Sequence, residues 1–200
     1  MGLGSLTIDD FLAQLGSSDP TPGGGALAAL SGAMAAAMLA MVCNLTLGRP
    51  RFADVEAEVH QLLALADADA EAYLAVRDAY RLPRSSEGEQ QARTEAIEHA
   101  MHGATEAPID SAREARAVLD LAGQAARITN PVAIGDVAVA THLALAAARG
   151  AVDQARLNLA TLHDAAFVSS MSQQIEQLLA DADTVADRAL EDVARRGAAG

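Results

Sequence analysis

Between Pro20 and Gly48 the chain runs for 29 residues without a charged side chain, and most of these residues are Ala, Gly, Leu or Met. A helix of about 20 such residues is long enough to cross a membrane. Ala and Gly supply little apolar driving force, however, and no second apolar segment is expected to pair with this one. The polar side chains of Ser31, Asn44 and Thr46 interrupt it.

The same segment contains small residues at helical spacing, namely Gly32, Ala36 and Ala40. Small side chains on one face let two helices approach closely. We therefore predict a buried or interface helix here rather than a membrane span.

The composition points to helices throughout. Of the 200 residues, 51% are hydrophobic but only 2% are aromatic, and there is no Trp. Strand-favouring aromatic and β-branched residues are sparse, and no alternating strand pattern is found. The length fits one domain with a substantial core. We predict an all-α fold, a single-domain bundle of long antiparallel helices over residues 1–200.

Local signals place the helix ends. Thr7 is a candidate N-cap of a short first helix that stops at Gly16, and Pro50 ends the uncharged segment. Ser86 followed by Glu89 has the form of a capping box. The predicted later helices cover about 53–80, a stretch after Ser86 that Pro108 breaks or restarts, a run from 130–131 towards 162, and about 164–195.

The charge excludes several functions. The formal net charge is 14 − 27 = −13, and a surface that binds nucleic acid needs clustered positive charge. Every basic residue is Arg, so Schiff-base chemistry and a Lys-dependent phosphate loop are excluded. A single cysteine, Cys43, favours a reducing compartment, and no signal peptide is recognised. We expect a cytoplasmic protein.

The least ordinary string is Pro20-Thr21-Pro22-Gly23-Gly24-Gly25. Three glycines before a helix let the backbone approach a ligand, and free N–H groups at the helix start favour a carboxylate, carbonyl or phosphate. A tight turn that permits helix crossing explains the string equally well.

Two acidic positions are candidates for proton transfer. Asp136 lies about one turn into an otherwise apolar helix, where burial would raise its pKa, although a first-turn acid favoured by the helix dipole is the alternative. Asp69 falls on the apolar stripe of its helix and shares a face with Tyr73. A solvated acidic face accounts for most of the string 67–73.

The richest set of possible metal ligands is Glu95, Glu98, His99 and His102. A di-iron bundle needs paired Glu-x-x-His motifs on inward faces, and no such pair is present. Glu98 and His102 are predicted to form a surface pair, and no metal is expected.

These residues together resemble the cyclodeaminase/cyclohydrolase family of folate enzymes. The glycine string and the helix that ends Asn44-Leu45-Thr46-Leu47-Gly48 are the most specific part. The resemblance continues through 67–73, 79–84, 107–108, 130–136 and 151–159, nearly the whole chain. The family comprises the cyclodeaminase part of formiminotransferase-cyclodeaminase and stand-alone methenyltetrahydrofolate cyclohydrolases.

The resemblance implies an all-helical protein that dimerises, or forms a higher homo-oligomer, with active sites near the subunit interface. The substrate would be a tetrahydrofolate carrying a one-carbon unit, with no cofactor. The expected catalytic residues are Asp136 and, second, Asp69. The expected substrate-binding residues are Thr21, Gly23, Gly24, Gly25, Asn44, Tyr73, Arg84 and Asn130, with Arg84 on the glutamate tail.

The chain departs from the family pattern at three positions. Ala26 and Gly135 stand where Ser is common, and Gln154 stands where Asn is common. A non-catalytic helical module that binds folate or a protein partner is therefore the alternative hypothesis. A metal-carboxylate bundle is a weaker rival.

Overall fold

The computed structural model describes residues 2–47 and 53–198, and over these residues the chain is helical without strands. The described α-helices are α1 (Ile8–Leu15), α2 (Gly24–Leu47), α3 (Ala53–Tyr80), α4 (Glu87–Ile128), α5 (Ile134–Leu159) and α6 (Ala165–Gly197). Two short 3-10 helices cover Leu3–Ser5 and Pro131–Ala133. The all-α prediction is confirmed.

Helix α2 packs between α3 and α5 and also contacts α4. A Cβ on Gly32 would lie 3.2 Å from the Leu62 side chain of α3 and 3.6 Å from the Ala147 Cβ of α5. Four residues earlier on α2, Ala28 lies 3.6 Å from a Cβ placed on Gly150 of α5, and Gly25 meets Asp69 of α3. Earlier positions of α2 thus meet later positions of α3 and α5, so α2 runs antiparallel to both neighbours. Its small residues permit the close approach.

Two helices outside this trio complete the fold. Helix α4 forms a hairpin with α3, closed where Arg93 donates to the carbonyl oxygen of Tyr80 at 3.1 Å. Helix α6 packs on α4 and α5, and Arg149 of α5 pairs with Asp183 of α6 at 2.8 Å.

The long uncharged segment is a packed helix, as predicted. By length and composition alone, Gly24–Thr46 and also Pro131–Leu159 would suffice to cross a membrane. The expectation that α2 has no second apolar segment to pair with is thus wrong. More than half of the apolar window of α2 is buried within the protein, as in the core helix of a bundle.

The predicted caps are confirmed. The Thr7 hydroxyl accepts the backbone N–H of Asp10 at 3.1 Å, and α1 ends at Gly16. Ser86 and Glu89 form the reciprocal capping box that begins α4. The Asn130 side chain accepts the N–H of Val132 at 3.1 Å. Pro50, expected to end the second helix, lies outside the described residues.

The predicted break at Pro108 is wrong, because α4 continues through it over 42 residues. Proline has no N–H, so the carbonyl four residues earlier loses its helical donor. Here that carbonyl belongs to Ala104, and the Asn158 side-chain amide of α5 donates to it at 2.6 Å. A tertiary hydrogen bond therefore replaces the missing helical one.

Candidate active site

The glycine string forms the start of α2. The Thr21–Pro22 peptide bond is cis, and Pro22 is buried. The first intrahelical bond runs from the N–H of Leu27 to the carbonyl of Gly23 at 3.0 Å. Within the described residues, the N–H groups of Gly24 and Gly25 have no hydrogen-bond acceptor, as expected for the first turn of a helix.

Asp69 of α3 points directly at this turn. A methyl group at Gly25 would overlap the Asp69 carboxylate, so only glycine lets the carboxylate come so close. Burial raises the pKa of Asp69 above its usual range, and the backbone amide of Ala26 partly offsets this by donating to the carboxylate. A partly desolvated carboxylate beside free amide groups can accept and return a proton.

Gln154 of α5 lies on the opposite side of the same turn. A Cβ on Gly24 would lie 2.9 Å from the Gln154 amide nitrogen. Consecutive glycines thus receive polar side chains from two different helices. The sequence shows Gln154 only as a departure from a pattern, because its position beside Gly24 depends on the register of α5 against α2.

The neighbouring acid Asp67 has a structural partner. Its carboxylate accepts the backbone N–H of Leu3 at 2.6 Å and thereby fastens the N-terminal segment to α3. The string 67–73 is therefore only partly the solvated acidic face that was expected. Tyr73, one turn beyond Asp69, is 43% exposed.

We call this region the glycine end of the bundle. It comprises Thr21, Gly23, Gly24, Gly25, Asp69, Tyr73 and Gln154.

Asn44, Asn130 and Asp136 lie at the opposite end of α2. The backbone N–H of Asn130 donates to the Thr46 hydroxyl at 3.1 Å, and Asp136 is in the first turn of α5. We call Asn44, Asn130 and Asp136 the asparagine end. Asp136 is separated from Gln154 by 18 positions of one helix, hence about 27 Å at 1.5 Å per residue.

Within one protomer, Asp136 therefore lies far from the three glycines. A straight helix holds its two ends apart, and α5 is continuous between these positions.

Arg84 lies in the loop between α3 and α4 and is exposed. From Asp69 to the last residue of α3, Tyr80, the axis advances about 16 Å. Arg84 thus lies well outside the turn, at a distance that suits the far end of an elongated ligand rather than its reacting centre.

The histidine-rich region has a structural explanation. Glu98 and His102 lie 4.0 Å apart, but each side chain is only 28% exposed, so the predicted surface pair is partly buried. Glu98 also accepts the backbone N–H groups of His163 and Asp164, at 2.8 and 3.0 Å, and these bonds lower its pKa. In residues 2–47 and 53–198 no group of three His, Cys, Asp or Glu side chains is arranged to hold a metal ion.

A family model described as formiminotransferase-cyclodeaminase matches residues 7–177, which include every residue of both ends. The chain belongs to this family. The resemblance found in the sequence is thereby confirmed.

Relatives within the formiminotransferase-cyclodeaminase family differ in length. A methenyltetrahydrofolate cyclohydrolase of Methylorubrum extorquens is 40% identical over 95% of this chain and 97% of its own length. A formimidoyltransferase-cyclodeaminase of Sus scrofa is 29% identical over 94% of this chain but only 37% of its own length.

A solved family structure supports the fold. The formiminotetrahydrofolate cyclodeaminase of Thermotoga maritima has a TM-score of 0.83 and 26% identity, covering 96% of this chain and 97% of that one. The helical bundle is therefore the family's cyclodeaminase fold.

Proposed function

We propose that this protein is a methenyltetrahydrofolate cyclohydrolase that converts 5,10-methenyltetrahydrofolate and water to 10-formyltetrahydrofolate. The observation that carries the proposal is the placement of Asp69 against Gly25 at the start of α2. The 40% identity to a cyclohydrolase along nearly the full length of both chains supports the hydrolytic reaction over others of the family.

The chemistry requires one group that moves protons. Water adds to the cationic methenyl carbon, and Asp69 accepts the proton that the water loses. The C–N5 bond of the tetrahedral intermediate then breaks as N5 takes a proton, the hydroxyl proton is lost, and the formyl group remains on N10. One proton is released overall, and the Asp69 charge stabilises the cationic substrate.

Formiminotetrahydrofolate cyclodeamination is the second candidate function. There N10 attacks the formimino carbon, and ammonia leaves from a tetrahedral carbon of the same kind. The 26% identity and the shared fold with a cyclodeaminase support this second reaction as a candidate.

The remaining residues receive proposed binding roles. The free N–H groups of Gly24 and Gly25, with Thr21 and Gly23, bind the pterin amide or an oxyanion. Tyr73 flanks the pterin, and Arg84 pairs with the glutamate tail through its guanidinium. We expect no cofactor and a cytoplasmic location.

We further propose that two copies form a homodimer along α2. Leu27, Met34, Met41 and Leu45 are exposed on α2 at intervals of seven, seven and four residues, which places them on one face. We call this row the α2 seam. A two-fold axis across it would set the glycine end of one copy beside the asparagine end of its partner, so that Asn44, Asn130 and Asp136 complete the partner's site.

The decisive assay follows the near-ultraviolet absorbance of 5,10-methenyltetrahydrofolate in a buffer where spontaneous hydrolysis is slow. We expect faster decay with the protein than without it, and no acceleration with Asp69→Asn. If decay is not accelerated, 5-formiminotetrahydrofolate is supplied instead, and methenyl formation then identifies a cyclodeaminase. Tight folate binding without either reaction would overturn both and favour the non-catalytic module.

A further inference from the structure

Gln154 is the polar side chain that α5 brings to the glycine end. It projects from α5 among the buried residues Ala151, Val152 and Ala155. Its amide nitrogen lies against Gly24, at 2.9 Å from the position of an added Cβ. A long polar side chain is thus held at the helix start by an otherwise apolar surface.

The Gln154 amide has no hydrogen-bond partner among the described residues, whereas Asn158 one turn later donates to Ala104 at 2.6 Å. The side chain is only partly exposed. A half-buried amide without a protein partner is free to bond a ligand, and leaving it unpaired in a closed site is unfavourable.

The chemistry of the two walls is complementary. Asp69 on one side of the turn brings a negative charge, which suits the cationic one-carbon bridge. Gln154 on the other side brings an uncharged group with two N–H donors and one acceptor. The pterin ring carries a cyclic amide with the matching acceptor and donor, fused to the ring that holds N5.

We propose that Gln154 is a substrate-positioning residue that hydrogen-bonds the cyclic amide edge of the pterin while Asp69 faces the bridge carbon. This rests on the proposed function and adds to it the residue that orients the ring. Gln154 makes the same bond before and during the reaction, so it acts on substrate binding more than on the chemical step.

The test is steady-state kinetics of Gln154→Leu, with Gln173→Leu on the exposed face of α6 as the matched control. We expect KM for the methenyl substrate to rise about tenfold and kcat to change less than threefold, since one hydrogen bond to substrate is worth about 1.4 kcal/mol. Gln173→Leu should match the wild type. KM within twofold of wild type in Gln154→Leu would overturn the proposal.

A second variant leaves the glutamine in place. Gly24→Ala puts a methyl group 2.9 Å from the amide nitrogen, so it pushes the amide aside and should raise KM in the same way. Gly103→Ala in α4 is its control, because an added Cβ there meets no atom within 4 Å. This pair answers the question even if Gln154→Leu folds poorly.

A substrate analogue with hydrogen in place of the pterin's lactam oxygen, which leaves the Gln154 amide one hydrogen bond fewer, provides the last test. The wild type should bind it about tenfold more weakly than the natural substrate, and Gln154→Leu should not discriminate between the two. Equal discrimination by both proteins would place the contact elsewhere. A wild type without cyclohydrolase or cyclodeaminase activity would overturn the proposed function, whereas an active wild type with unaffected Gln154 variants would overturn only this inference.

Discussion

The buried position of Asp69 favours proton transfer but lowers the stability of the folded protein. Burial raises its pKa in the folded protein above the value of about 3.8 that the unfolded chain has. The folded state therefore binds the proton more tightly, and stability increases as pH falls through the window between these two values. At neutral pH the ionised carboxylate makes the folded state less stable than a neutral side chain there would.

Replacing Asp69 with Asn should accordingly separate activity from stability. We expect hydrolysis to fall at least about a hundredfold, because the base is lost, and the melting temperature at pH 8 to rise by a few degrees. Differential scanning calorimetry and the absorbance assay measure the two effects. Asp67→Asn is the control, since Asp67 holds Leu3, and it should keep its activity. An active Asp69→Asn protein would contradict the assignment.

The glycines differ sharply in what they tolerate. A methyl group at Gly25 overlaps the Asp69 carboxylate, whereas one at Gly103 of α4 meets no atom within 4 Å. We expect Gly25→Ala to lose at least about tenfold in kcat through displacement of the carboxylate, and Gly103→Ala to remain near wild type. Equal activity of the two variants in the same assay would show that Asp69 need not sit so close.

At the scale of elements, Pro108 and Asn158 form one structural unit. The Asn158 amide occupies the Ala104 carbonyl that Pro108 leaves without a donor. Asn158→Ala should therefore lower the free energy of unfolding by about 1–3 kcal/mol. In a Pro108→Ala background the same change should matter less, because the helix then supplies its own N–H. Urea unfolding of the four proteins gives the coupling, and additive effects would contradict it.

The same pair shows what the sequence could and could not predict. The starts of α1, α4 and α6 were predictable, because their caps are bonds between residues two or three positions apart. The continuity of α4 was not, since the bond to Ala104 comes from 54 positions away.

The candidate site was predictable to the same extent. The glycine string can be recognised from its local composition, and Asp69 can be recognised from its place on an apolar stripe. The sequence does not show which end of α5 lies beside the start of α2, so it does not show that Asp69 and not Asp136 faces the glycines within one copy. The position of Gln154 beside Gly24 depends on the register of α5 against α2, and that register is determined by packing.

At the scale of the whole molecule, the glycine end and the asparagine end are far apart in one copy, so the proposed activity depends on dimer formation. In the proposed dimer each site takes Asp69 from one copy and Asp136 from its partner. We expect Asp69→Asn and Asp136→Asn to be inactive alone, and a heterodimer of the two, isolated through two different tags, to recover about half of the wild-type activity. One of its two sites is then intact.

The control for this complementation is a dimer of the double variant Asp69→Asn/Asp136→Asn with the wild type. If Asp69 alone carries the chemistry and the partner copy contributes only to binding, this dimer should keep about half the activity, because Asp69 of its wild-type copy is intact. It should have almost none if sites are shared, because each composite site then lacks one carboxylate.

Met34→Glu in the α2 seam should yield monomers in analytical ultracentrifugation, whereas Leu157→Glu, on an exposed position of α5, should not.

The close approach of Asp69 to Gly25 also constrains how a lineage of such proteins can change. No side chain can be accepted at position 25 while the carboxylate occupies that space. The presence of Asp69 therefore prevents substitution of Gly25. A descendant that abandons the reaction and shortens residue 69 releases both positions together. Loss of the acid would thus be followed by drift at the glycine, and the way back would require two coordinated mutations.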